Sequence, residues 1–238
     1  MKNVHFFGCS LTAGDELIDD ELFPWKQECS TPEEYYSRRV LPQDYEERNK
    51  KLAYPAIMQS SLINTFNYAR NGAGIRENIF NITKLISSGK KIDFIYFQIT
   101  PYGRELVIDL NNNLTTIQIA WKMFGFDEYL EAKRKSHKMM QFSLEDLMDL
   151  ITLHGYLKSH NIKHKFIELE NWVNELRVND LKFTKYSFLA DEYNKLPILN
   201  LHDQLSKRPR TIGGHYDIIA HKQIAQLLTN DLSQNNIL

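Results

Sequence analysis

The residues that most constrain this chain are IDFIYFQIT, positions 92–100. An unbroken run of apolar, β-branched and aromatic side chains does not alternate between two environments, so a strand built from it must be covered on both faces. That predicts a strand inside a parallel sheet, with helices above and below. Other segments fit the same plan. KNVHFFG (2–8) reads as a short buried first strand, NTFNYA (64–69) as a second, IKHKFIELE (162–170) as a later one and LPILNL (196–201) as the last.

Helical segments lie between them. YPAIMQSSLI (54–63) carries Pro55 in its first turn, where no amide donor is needed. IRENIFNITKLISSG (75–89) places Ile75, Ile79, Ile82, Leu85 and Ile86 at helical spacing and closes on Gly89. FSLEDLMDLITLHGYLKSHN (142–161) offers Ser143 as a cap with Asp146 in the capping-box position, and DIIAHKQIAQLLTNDL (217–232) reads as a closing amphipathic helix with Asp217 as its N-cap. Strands alternating with helices place the chain in the α/β class, a parallel sheet with helices on both faces.

Two stretches interrupt the alternation. Residues 15–51 are acidic and aromatic and broken by Pro24, Pro32 and Pro42, so they read as an irregular insertion with short helical turns. Insertions of that length in compact domains more often serve function than not. Residues 115–142 read as a helical region broken near Gly125.

At 238 residues the chain is long enough to bury a sizeable core, and it reads as a single domain over 1–238. A net charge of -1 argues against a general nucleic-acid binder, which needs a basic excess to displace counterions. Two cysteines, Cys9 and Cys29, are too few for a disulfide framework. The apolar run ending at Gly8 is too short for a signal-peptide core or a membrane span, so a soluble cytoplasmic protein without a membrane partner is expected. Oligomeric state is not legible.

In an open parallel sheet, ligands bind beyond the carboxyl ends of the strands, near the reversal of strand order. Gly8–Gly14, Arg70–Gly74 and Thr100–Glu105 follow such ends, and TIGGHYD (211–217) precedes the last helix. Ser10 directly follows the first strand and is a candidate nucleophile. Because a serine hydroxyl barely ionises at neutral pH it needs a base, and His215 could supply one. Gly72 lets the backbone come close enough for its N–H to join that of Ser10 at a developing oxyanion. Cys9 is a competing nucleophile, but side-chain alternation sends Cys9 and Ser10 opposite ways. A metal reading would use His202, Asp203, His215, Asp217 and His221, whose spacing matches no recognised metal motif, so neither a metal nor a cofactor is expected. SKRPR (206–210) reads as a solvated loop that could steer an acidic substrate.

Taken together, these segments resemble the SGNH hydrolases, also called the GDSL esterases and lipases. FGCSLTAGDEL (7–17) is similar to the family's first block, with Cys9 where an aspartate is more usual. AYPAIMQSSL (53–62) followed by NTFNYARNGAG (64–74) is similar to its second block, and GGHYDIIAHKQIAQLL (213–228) to its closing block. The resemblance implies a flavodoxin-like three-layer α/β/α sandwich. It implies a serine esterase that hydrolyses a small acyl ester, such as an O-acetyl group on a carbohydrate. Ser10 would form the acyl-enzyme, His215 would be the general base, and the Ser10 and Gly72 amides would form the oxyanion hole. His221 would be the structural histidine of the closing helix.

Two departures from the family pattern stand out. The family usually has an aspartate two or three residues before the histidine, where this chain has Gly213 and Ile212, so a Ser–His dyad or a triad of other composition is expected. The third block usually carries an asparagine that donates to the oxyanion, and FQITPYGRE (97–105) has none. Gln98, Thr100 or Arg104 could substitute, with Thr100 and Arg104 as possible substrate or oxyanion contacts. The same two departures also suit a different class of protein, a catalytically degenerate binding or assembly module on this fold.

Overall fold

The computed structural model describes residues 1–100, 104–108, 114–118, 139–170, 186–208, 210–211 and 214–238. Five strands form a parallel sheet in the order β2-β1-β3-β6-β7, where β1 is Lys2–Phe7, β2 Ile63–Asn67, β3 Phe94–Gln98, β6 His164–Glu168 and β7 Ile198–Asn200. β1 pairs with β2 on one side and β3 on the other, with Val4 opposite Phe94 and Phe6 opposite Tyr96. The chain therefore reverses its direction of travel across the sheet between β1 and β3. The carboxyl ends of those two strands mark the switch point at which such sheets bind ligands.

The run at 92–100 is buried on both faces, as its composition requires. Phe94 and Tyr96 join Val4, Phe6 and Ile167 under the closing helix Ile218–Gln234, which contributes Ala220, Ile224, Leu228 and Leu232 at four-residue spacing. Ile95 and Phe97 join Phe7 and Phe166 on the other face, under the helices Ile75–Ser87, Met139–Ser159 and Ser187–Tyr193. The result is the three-layer α/β/α sandwich. Asp217 caps the closing helix by accepting from the Ala220 amide at 2.8 Å. Helix Ile75–Ser87 stops where Gly89 takes a left-handed φ of +68°.

The insertion carries helices at Asp19–Leu22, Pro32–Arg38 and Tyr45–Leu52 and a 3-10 helix at Pro24–Glu28. It has a small core of its own, Ile18, Phe23, Cys29, Tyr35 and Tyr45. Three expectations differ from what is found. The helix expected over 54–63 is a single turn, Tyr54–Ile57, and Ile63 already opens β2. Residues Leu114–Gln118 form strand β5, antiparallel to β4 (Arg104–Ile108), where a helical region was expected from 115. Thr115, Thr116 and Ile117 are β-branched and favour that strand. Residues 119–138 of the expected helical region lie outside the described residues. The helix that Ser143 was expected to cap already begins at Met139, so Ser143 lies within it. Among the described residues no helix is long and apolar enough to cross a membrane.

Candidate active site

β1 ends at Phe7, and Ser10 opens a single helical turn, Ser10–Ala13. An amide at the first position of a helix has no intrahelical carbonyl to bond, which leaves the Ser10 N–H available to a ligand. The turn rests on Gln98. Its Oε1 accepts from the Cys9 amide at 3.2 Å and from Thr12 Oγ1 at 2.6 Å, and Thr12 Oγ1 also lies 2.8 Å from Tyr54 OH. Gly8 is required for this contact, because a Cβ there would sit 2.5 Å from both Gln98 Oε1 and Thr12 Oγ1. Gln98 is thus fully buried beneath the turn and does not face the site as a donor. The Cys9 thiol is buried against the same amide, 3.4 Å from Gln98 Nε2, so Cys9 and Ser10 do point apart.

His215 arrives on a tight loop. Arg210 and Tyr216 form a bridge, Thr211 N donates to His215 O at 2.8 Å, and His215 N donates to Thr211 Oγ1 at 3.0 Å. Arg210 lies 3.7 Å over the Tyr216 ring, pairs with Glu170 and donates to Gly214 O at 3.0 Å. Tyr216 OH in turn donates to Leu169 O beyond β6 at 2.6 Å. Arg210 of the basic stretch therefore braces the histidine loop.

The two ends of the chain meet here. Ser10 Oγ and His215 Nε2 are 2.9 Å apart, a hydrogen bond in which the hydroxyl donates when the imidazole is neutral at Nε2. His221, on the closing helix, takes a separate place. Its Nδ1 accepts from the Tyr54 amide at 3.0 Å, and burial, with the nearby His215 charge adding to it, lowers its pKa to about 3.

A carboxylate also reaches the imidazole, from a position the sequence did not single out. Gly14 at φ +79° and Glu16 at φ +69° are both left-handed, and they turn the chain back beneath His215. A non-glycine residue in that conformation costs about 1–2 kcal/mol. The Glu16 amide is tied down by Tyr45 OH at 2.9 Å and Asp15 Oδ1 at 3.0 Å. Glu16 Oε2 lies 3.4 Å from His215 Nδ1. The contact is long and off-line for a hydrogen bond, and Nδ1 has no other hydrogen-bond partner among the described residues. Such contacts commonly tighten only when substrate binds.

The Glu16 side chain is fully buried. Tyr36 OH donates to Oε1 at 2.7 Å, Thr211 Oγ1 donates to Oε2, and Arg39 lies 3.8 Å away. Arg39 is itself nearly buried, 2.9 Å from Asp15 and 3.5 Å from Asp19. Burial pushes the Glu16 carboxyl up, but His215 above all, with Thr211 and Tyr36, outweighs it and holds the group at about 2. For His215 burial favours the neutral ring, yet Glu16 and Asp15 outweigh burial and Arg39 and raise its pKa. Asp19, farther from the imidazole, is pushed up by burial to about 6, against the pull of Tyr45 and Arg39.

At the second candidate turn, Ala73 N donates to Arg70 O at 3.0 Å and Gly72 has φ +77°, with no atom of the described residues within 4 Å of where a Cβ would stand. Arg104 donates from Nη1 to Ala73 O at 2.9 Å, which braces the turn, and its Cβ and carbonyl oxygen stand 2.8 and 2.9 Å from where a Gly74 Cβ would be. Thr100 is buried at the end of β3 with its Oγ1 unpartnered among the described residues.

The family pattern places the third catalytic group just before the histidine. Glu16 sits instead in the nucleophile's own turn, in the letters GDEL. The only signal was an acid pair beside the candidate nucleophile, and no periodicity ties it to a residue near the other end of the chain.

No family model and no curated protein matches this sequence. Solved structures do match in fold. The crystal structure titled TesA is similar over 100% of both chains, with a TM-score of 0.53 and 9% identity. A psychrotrophic esterase, EstA from Pseudoalteromonas sp., inhibited by monoethylphosphonate, is similar over 98% of both chains at TM-score 0.51 and 9% identity. A G-D-S-L lipolytic-family protein from Desulfitobacterium hafniense matches 97% of this chain and 99% of its own at TM-score 0.52 and 12% identity. From its first strand to its last helix, this chain has the fold of the SGNH, or GDSL, hydrolases.

Proposed function

We propose that the protein is a serine ester hydrolase working through an acyl-enzyme on Ser10. The observation that carries this reading is the 2.9 Å contact between Ser10 Oγ and His215 Nε2 at the switch point of the sheet. As the hydroxyl attacks the ester carbonyl, its proton passes to Nε2 and the Oγ–C bond forms. The carbonyl oxygen takes up negative charge, and we assign the Ser10 and Gly72 amides as its donors. When the C–O bond to the alcohol breaks, the leaving oxygen takes the proton from Nε2. Water then attacks the acyl group, gives its proton to Nε2, and the acid departs as Ser10 recovers a proton.

A cavity of about 300 Å³ beside the histidine loop is lined by Asp20, Lys26, Gln27, Arg210, Thr211 and Asp217. Every one of these side chains is polar or charged, which suits a hydrophilic alcohol such as a sugar. A short acyl ester of a carbohydrate is accordingly the substrate class we favour. Acetylated sugars and p-nitrophenyl acetate should be cleaved faster than long-chain p-nitrophenyl esters, and the reverse order would exclude this class.

The competing reading, a silent binding module, rests on the absent aspartate before the histidine and the absent asparagine of the third block. Glu16 places a buried carboxylate at that imidazole, a feature a binding module does not need. Hydrolysis abolished by His215→Ala would exclude that alternative.

The electrostatics give a pH dependence. His215 must be neutral at Nε2 to accept the serine proton, and its pKa is raised above the ordinary 6.5. Activity is therefore lost as pH falls through a value higher than that of a free histidine. A kcat/KM profile should show an acid limb with its midpoint above 6.5. A midpoint below it contradicts the charge arrangement described here.

A further inference from the structure

We propose that Glu16 is the positioning carboxylate of His215, supplied by the nucleophile's own turn and clamped by residues of the insertion at 15–51. The proposal rests on the hydrolase reading of Ser10 and His215. Three observations converge on it. The Glu16 carboxylate lies 3.4 Å from His215 Nδ1, on the ring edge opposite Ser10. The nearby Asp15 lies on the other edge, 3.8 Å from Nε2, where it cannot fix the tautomer the serine needs. Finally, Glu16 is held in a left-handed backbone conformation with its side chain buried, a costly arrangement that the surrounding bonds maintain.

The clamp gives the insertion a purpose. Tyr36 and Arg39 come from its middle, and Tyr45, from its last long helix, holds the Glu16 amide. From the other end of the chain Thr211 bonds the same carboxylate. Arg39 also stands against Asp15 and Asp19, so these two neighbouring carboxylates do not drive Glu16 to take up a proton. Glu16 stays ionised through the cycle. The proton taken from Ser10 remains on the imidazole, whose positive charge Glu16 stabilises, and no proton passes to the carboxylate.

Among the described residues, the charged and titratable groups facing His215 are Asp15 and Glu16 from the turn, Arg39 from the insertion and the neutral His221 from the closing helix. Replacing Glu16 by glutamine removes the carboxylate beside Nδ1 and keeps its shape. Glu16→Gln in the full chain should lower kcat about 10²–10⁴-fold with little change in KM, and should move the acid limb of kcat/KM to lower pH. Glu16→Asp should recover part of both. Unchanged kcat and an unmoved acid limb in Glu16→Gln, with wild type labelled at Ser10 by an organophosphonate, overturns the proposal and leaves the hydrolase reading intact. Wild type that neither turns over esters nor labels at Ser10 overturns the hydrolase reading instead.

If Glu16→Gln does not fold, the wild-type protein still decides. NMR titration of the His215 ring should give a midpoint above 6.5 with Nδ1 protonated on both sides of it. A neutral ring carrying its proton on Nε2, or a midpoint at or below that of a free histidine, overturns the assignment whether or not the protein turns over esters.

Discussion

Replacing Ser10 with alanine is expected to cut p-nitrophenyl acetate turnover by at least about 10⁴-fold. The expected loss is this large because no neighbouring group can take over the attack. Cys9, which adjoins Ser10 in the chain, is buried with its thiol 3.4 Å from the Gln98 amide. Without the hydroxyl, His215 could only activate water, which lacks the fixed position that makes the serine effective. The fold should be untouched, since the Ser10 hydroxyl bonds His215 Nε2 and no core group. Urea unfolding of Ser10→Ala should therefore agree with wild type within about 1 kcal/mol. A variant that folds and keeps its turnover would remove Ser10 from the chemistry.

Gly8→Ala is expected to be strongly damaging at the site, with a stability loss of about 2–4 kcal/mol. The added methyl would meet Gln98 Oε1 and Thr12 Oγ1 at 2.5 Å and Gln98 Cβ at 2.8 Å. None of the three can retreat easily. Gln98 is fully buried on β3, and Thr12 Oγ1 is fixed between Gln98 and Tyr54. Relieving the clash would break the 2.6 Å bond between them and shift the Cys9 amide, and the nucleophile turn with it. Gly89→Ala provides the contrast. Gly89 has φ +68° but nothing within 4 Å of its absent Cβ, so its cost is the backbone strain alone, about 1–2 kcal/mol. The urea midpoint should fall further for Gly8→Ala than for Gly89→Ala, and ester turnover should fall only in the former. Equal midpoints would mean that the Gln98 platform gives way without cost.

The sheet was legible because its strands carry their burial in their letters. FIYFQ offers an apolar or amide side chain to both faces, and Ile224, Leu228 and Leu232 recur at the spacing of one helix face. Ser10 and His215 were legible through the glycines around them and the order of the blocks. Residues 115–118 read as helical because a β-branched run next to helical composition does not disclose that its partner strand lies at 104–108. Gln98 and Arg104 were read as possible donors to the substrate. Gln98 proves to support the nucleophile turn from below, and one donor of Arg104 braces the Gly72 turn, since the letters do not tell a support from a contact. Glu16 was missed for a stronger reason. Its meeting with His215 depends on two consecutive left-handed bends and on an arginine and two tyrosines drawn from a segment with no clear period.

The central claim, that a serine near one end of the chain and a histidine near the other form one nucleophile, is tested most directly by mapping a covalent adduct. Wild-type protein treated with an organophosphonate ester and digested should carry one label per chain, on the peptide containing Ser10. His215→Ala should label far more slowly at the same residue. A label on Cys9 or on any other residue, or steady ester turnover with no adduct on Ser10, would contradict it.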